Sequence, residues 1–434
     1  MIYSSQKRYG LIILSALCLC LLSGTDIISA QESMESCMPK EGMDAQMQTT
    51  SRMERLIASH TSGTSIGYHP GHDEKIIWDE NVSVDVSGVG RGERGPHNNV
   101  TGIYLLDGAQ LTIGGDLRLR LTNARPPVDG ATPGTDVAHY YMSGIYAGYG
   151  GQIRGRTHGT TQFLLRGNLD MEVTGVGLQA NKDSMITVGG GRIVTQALTS
   201  SDTYALLAEE GTVSMNVTET NALQDAKAVH IIGNLGVLNK NYGIDPNPNR
   251  RTSLIALSLP TADSTLTGGI LNEFEENGSN PQGSGVDLRL SNHACWRNKW
   301  LGAPREKAAR PNAASYLYTG SKIRNLCGAA SREMQASIIQ EESLPITINN
   351  FSGHVRVIYT CKADGCIMGG GIIIRHAARN SSITLFLDTQ GYEPADIAAR
   401  KDTLLHALAG KLHDTNASIS AHHLTVYVEM GSLA

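Results

Sequence analysis

Apolar and polar residues alternate over short stretches throughout this chain, and the alternating stretches come in pairs joined by tight turns. Five stretches share one order of parts: a small residue, an apolar pair, a short polar turn and a second apolar alternation. They begin at Gly102, Gly144, Gly177, Ala205 and Ala228, with second halves at Gly108–Ile113, Gly151–Ile153, Ser184–Val188, Gly211–Met215 and Gly236–Leu238. Successive starts lie 42, 33, 28 and 23 residues apart, so the period is loose while the order is kept. A period of two over a few residues predicts half-buried strands. Two short strands and a turn cannot bury their apolar side alone, but stacked on copies of themselves they form a continuous core. The pattern therefore predicts an all-β, elongated β-solenoid.

Strand signals start around Ile76–Trp78 and continue with the strict alternation of Asn81–Val86. They resume at Ser253–Leu259, Val286–Leu290, Ser315–Ile323 and Leu344–Gly353. The last ninety or so residues read as a strand-plus-helix cap of the kind an open solenoid end requires. Val355–Tyr359, Gly371–Ile374, Ser382–Leu387 and His423–Val428 are its strands. After Pro394 the period changes: Ile397, Leu404, Leu405, Leu408 and Leu412 share one helical face. A second short helix is expected within Asp44–Ser59. The expected organisation is a signal peptide (1–30), a polar leader or N-terminal cap (31–75), a β-helix with loop insertions (76–343) and a C-terminal cap or stem (344–434).

Composition agrees with a thin stack. The chain has 48 glycines spread among its strands, and only 5% of its 434 residues are aromatic. Such a core is filled by Val, Ile, Leu, Ala and Thr rather than by rings. The net charge of −5 carries no basic stripe, so no nucleic-acid partner is expected. Lys7 and Arg8, the apolar run Leu11–Leu22 and the small residues before Gln31 have the order of an export signal. Export permits disulfides. Cys361 and Cys366 flank a four-residue turn between two apolar runs and are the first candidate pair; Cys295 and Cys327 are the second. Cys37 is then left over, as a thiol or as a link between chains.

Candidate chemistry is sparse. Asp107, Asp116, Asp170 and Asp183 fall at expected turns without recurring at equivalent places, unlike the converging carboxylates of a polysaccharide-cleaving site. Ser65 lacks the upstream Asp and His of a serine protease. His69 with His72, and His422 with His423, lack carboxylate or Cys helpers for a metal, and the glycines 88–92 precede no helix that would make a phosphate loop. No catalytic residue, metal ligand or cofactor is assigned. The loops at 88–99, 123–140, 240–252 and 297–312 are the expected contact tips. Their Arg91, Arg94, Arg250, Arg251, Arg297, Arg305 and Arg310 suit an anionic glycan, although loop arginines more often serve only solvation.

Val286–Trp296 alternates Val and Leu, turns through polar residues and ends on Trp, and in this it resembles the recurring rung of autotransporter passenger domains. Tyr316–Leu326 looks like the following rung. Ile346–Val355, Gly369–Ile374 and the helix at Ala395–His413 resemble the pertactin-like stem that precedes the membrane barrel of that family. The resemblance implies a right-handed parallel β-helix with a C-terminal cap, exported to the periplasm, cell surface or medium, acting in adhesion or display without catalysis. Its partners would be a host glycan or surface receptor. No barrel strands precede Ala434, so a separate outer-membrane translocator or a truncated gene product is also expected. The alternative function is a carbohydrate-active β-helix enzyme, a lyase or hydrolase.

Overall fold

A computed structural model describes residues 54–59, 65–88, 100–123, 142–153, 156–196, 204–217, 227–238, 252–273, 283–302, 318–362, 365–390, 394–414 and 423–433. Among these residues the strands form three all-parallel sheets of twelve, eleven and seven members, and one antiparallel pair, Gln152–Ile153 with Arg156–Thr157. As far as Ile270–Asn272, each turn of the chain visits the long sheet, then the short sheet, then the second, eleven-stranded sheet. One such turn runs Val82–Gly88, Val100–Leu106, Gln110–Ile113. The chain is thus a parallel β-helix.

Register makes the core. On the long sheet Val84, Leu119, Met171, Ile193, Ile231, Leu266, Trp296, Ile338, Val357 and Leu385 pair in succession as one inward column. All ten are 0% exposed. Each rung contributes one apolar residue to the column, which is why period-two stretches survive the variable spacing between them. The small residue that opens the repeat has a steric reason. Gly102, Gly144 and Gly177 lie one above another on the short sheet, and a Cβ on Gly102 would stand 2.5 Å from the Gly144 carbonyl and 2.7 Å from Leu119 Cδ1.

Among the described residues the short sheet ends at Ile270–Asn272, and beyond it the stack continues with two sheets. Trp296, whose Nε1 donates to the Gly268 carbonyl at 3.0 Å, is the largest fully buried side chain and stands in the next rung. The C-terminal strands Ile346–Ser352, His354–Thr360, Ile372–Ala377, Ser381–Asp388 and Leu424–Gly431 add rungs to the same two sheets. The helix Pro394–Ala409 fills the crossover between them and places Leu404 and Leu408 in the core. Pro at its start and Gly410 just past its end are the expected boundary residues. Leu412 belongs instead to the short strand Leu412–Asp414.

Three expectations change. Residues 54–59 of the expected helix within Asp44–Ser59 form the first strand of the long sheet, paired with Val82–Ser87. The second half of the Gly144 repeat, Gln152–Ile153, lies on the antiparallel excursion, and the rung resumes at Thr161–Leu165. The repeat placed at Ala228 is offset. Val229–Ile232 is on the long sheet, and the partner of Tyr204–Glu209 is Asn234–Val237, after a shift of register between Tyr204 and Leu206.

Candidate binding surface

The three sheets present different outer faces. The short sheet is buried on both faces over Met142–Gly148, Val176–Asn181, Tyr204–Glu209 and Asn234–Val237. The long sheet is half exposed at its N-terminal rungs and fully buried at Ala336–Gln340 and Ser381–Asp388. The second sheet keeps an accessible outward position in its strands from Lys75–Trp78, where Ile77 is 70% exposed, to His413. One outward column runs Ile77, Thr112, Leu164, Thr187, Ser214, Ala256, Asp287, Asn325, Asn350, His376. Strands stack about 4.8 Å apart, so it forms a straight strip about 43 Å long.

The chemistry of this strip changes along its length. Its N-terminal half is uncharged beyond the first strand: Gln, Thr, Ser, Leu, Met and Ala. Its C-terminal half gathers Arg289, Lys322, Arg324 and Arg375 around the single carboxylate of Asp287. Arg324 clamps Asp287 through both oxygens, Nε to Oδ1 at 2.7 Å and Nη2 to Oδ2 at 2.5 Å, and also donates to the Gly283 carbonyl. Asn325 Nδ2 donates to Asp287 Oδ1 at 2.7 Å, and Asn350 Nδ2 donates to Asn325 Oδ1 at 3.0 Å. Arg375 Nη1 donates to Asn349 Oδ1 at 3.0 Å. This amide and guanidinium ladder holds its donors in a fixed row while Arg289, Asn350 and His376 remain exposed. Four basic side chains against one carboxylate leave this half of the face with a positive excess. Among the described residues no Trp, Tyr or Phe stands on this face.

The carboxylates most like a catalytic pair lie elsewhere. Asp170 is not at a turn but on the strand Leu169–Thr174, two residues from Glu172 and on the same outward face. Arg120 and Arg192, from the strands on either side, engage all four carboxylate oxygens. Arg120 Nη2 reaches Asp170 Oδ2 at 2.5 Å and its Nε lies 3.7 Å from Glu172 Oε2. Arg192 Nη1 reaches Glu172 Oε1 at 2.6 Å and Asp170 Oδ1 at 3.4 Å. The result is a neutral ion lattice across three rungs. At 24–41% exposure it contributes little stability.

The histidines of the His69–His72 stretch are used structurally. His72 pairs with Asp107 at 2.9 Å and His158 with Asp73 at 3.1 Å, which ties the excursion to the first two turns. The His158 hydrogen bond and the Gly159 N–H hold the Asp73 carboxyl below the usual carboxylate range. Ser65 is buried in the strand Ser65–Tyr68. Among the described residues no group of three or more His, Cys, Asp or Glu is placed to hold a metal ion, and no helix is long and apolar enough to cross a membrane. A hollow of about 80 Å³ lies between Cys361, Thr389 and the helix residues Asp396, Arg400 and Leu404, well under the ~300 Å³ of ordinary small-molecule sites.

The remaining sequence candidates divide as follows. Arg91, Arg94, Arg250, Arg251, Arg305 and Arg310 lie outside the described residues. Arg297 is described, and it pairs with Glu341 at 2.9 Å. Neither expected disulfide is present. Cys361 and Cys366 are thiols, although the turn between them closes with a Lys362 N–H to Cys366 carbonyl bond of 2.9 Å. Cys327 is a thiol as well, whereas Cys295 is disulfide-bonded. Register separates that expected pair: Cys327 stands on the second sheet beside Arg289, and Cys295 on the long sheet beside Ser337. The basic strip was missed because its members are scattered over ninety residues; the available signal was their recurrence at outward positions of alternating strands. No known family, curated protein or solved structure matches this chain.

Proposed function

We propose that this chain is an exported passenger of the autotransporter type, displayed at the cell surface, which binds anionic polysaccharide along the outer face of the second sheet. The observation that carries the reading is the strip itself: the accessible face of an extended scaffold, with four basic side chains around one carboxylate in its C-terminal half. A polymer bearing repeated carboxylates or sulfates engages such a row at several points. The rival reading, a lyase or hydrolase, would use Asp170 and Glu172, but their four oxygens already face guanidinium nitrogens rather than a substrate.

Binding to heparin and to neutral dextran, measured at several salt concentrations, tests the proposal. Heparin should bind with an affinity that falls as salt rises, and dextran should not bind. Arg289→Gln combined with Arg375→Gln should weaken heparin about tenfold, or about 1.4 kcal/mol. Arg118→Gln, on the exposed face of the long sheet, should leave it unchanged. Equal loss from both changes would remove the second sheet from the interaction, and cleavage of the bound polymer would favour the enzyme reading.

A further inference from the structure

Cys295 stands on the outer face of the long sheet, yet it is only 2% exposed. With Ile339, Ile358, Phe386 and Leu433 it forms an apolar cluster outside the main core, each member between 1% and 6% exposed. Outward positions at the other end of the same sheet behave differently: Arg120 and Glu172 are 24% and 41% exposed in their side chains. The long sheet therefore has a covered apolar patch at these positions, although Arg297 on the same strand as Cys295 keeps 33% exposure. The Arg356 guanidinium lies 5.6 Å from the Phe386 ring, and Leu433 closes the same end.

The state of Cys295 identifies what reaches its own end of the cluster. It is disulfide-bonded, while Cys327, Cys361 and Cys366 are thiols. The other half of the bond then belongs to Cys18, Cys20 or Cys37, the remaining cysteines of the chain. Cys18 and Cys20 sit inside the apolar run of the expected export signal and would leave with it. We infer that Cys37 is disulfide-bonded to Cys295, and that the leader around it docks over the outward apolar cluster of the long sheet.

Reach permits this. Seven strand-to-strand steps separate Glu54–Ser59 from Cys295–Asn298 in the long sheet, about 34 Å at ~4.8 Å per step. The seventeen residues from Cys37 to Glu54 extend to about 56 Å. The leader carries Met34, Met38, Met43 and Met47, flexible apolar side chains that fit irregular surfaces. Formation of the bond takes two electrons and two protons from the two thiols. Oxidised glutathione, or another disulfide oxidant, accepts them and leaves as two thiols.

The test is peptide mapping of the full chain produced in an oxidising compartment, with thiols alkylated before non-reducing digestion. The expected product is a Cys37 peptide joined to a Cys295 peptide, two hydrogens lighter than their sum, from a band that runs as monomer without reductant. Cys327, Cys361 and Cys366 should be alkylated. An alkylated Cys295, a link from Cys295 to any other cysteine, or the same link found only in a covalent dimer would overturn the inference. In the intact protein the leader should resist limited proteolysis, and in Cys37→Ser it should be cut at least tenfold faster. Equal cleavage in both would overturn the docking. The glycan measurement bears on the other sheet, so neither result decides the other.

Discussion

Gly102 shows how one residue sets the spacing of the stack. The carbonyl of Gly144 in the next rung approaches so closely that a Cβ on Gly102 would meet it at 2.5 Å, with Leu119 Cδ1 at 2.7 Å on the other side. Backbone and a fully buried side chain cannot both give way. Gly102→Val should therefore destabilise the solenoid by about 3 kcal/mol or more, read as a lower midpoint in urea or as loss of soluble protein. A wild-type midpoint would mean the rungs can part there. At Ala205 the same position already carries a Cβ, and the register shift between Tyr204 and Leu206 falls beside it. The small residue was legible in the sequence as the opening of the repeat. The reason it must be small is a contact between rungs 42 residues apart, which no local window contains.

Strands explain both the success and the errors of the pattern. Period two identified Val82–Gly88, Leu254–Leu259, Gly285–Leu290, Ile346–Ser352 and Ser381–Asp388, because each has one side in the core. It misassigned Gln152–Ile153 and Val229–Ile232, because alternation says that a strand has two faces and not which sheet it joins. His230 on the latter strand yields a pH prediction. Its outward ring is half buried between Arg192 and Thr265, and burial holds its pKa below the usual imidazole value, with Asp263 opposing and Arg192 adding to the effect. The unfolded chain then binds the proton at a higher pH than the folded one. Stability from this group is present above about pH 6.5 and is lost as pH falls toward the folded pKa. His230→Gln should flatten the decline of Tm between pH 7 and pH 5; an unchanged slope would assign that decline to other groups.

At the scale of the molecule, three sheets of one chain have three fates: the short sheet buried on both faces over four of its strands, the long sheet open at its N-terminal rungs and buried at Ala336–Gln340 and Ser381–Asp388, the second sheet accessible along its length. The surface proposal depends on where this object resides. Fractionating the producing cell and blotting for residues 344–434 should find the chain in the outer membrane or the medium. Confinement to the periplasm with degradation would make it a passenger without an exporter and would end the display reading.

The class of fold was legible in local pattern alone. Apolar alternation, turn glycines, a scarcity of rings and the one helical stretch after Pro394 are local properties, and each is a direct consequence of how a thin parallel stack buries its inner faces. Which residues share an outer face emerges from the stacking of distant rungs. The basic strip is made by Asp287, Arg289, Lys322, Arg324 and Arg375 from three strands of one sheet, and the ion lattice by Arg120, Asp170, Glu172 and Arg192 from three strands of another. The separation of Cys327 from Cys295 likewise follows from sheet membership. Register between distant rungs sets all of these, and that register exists only once each rung has placed its apolar residue in the shared inward column.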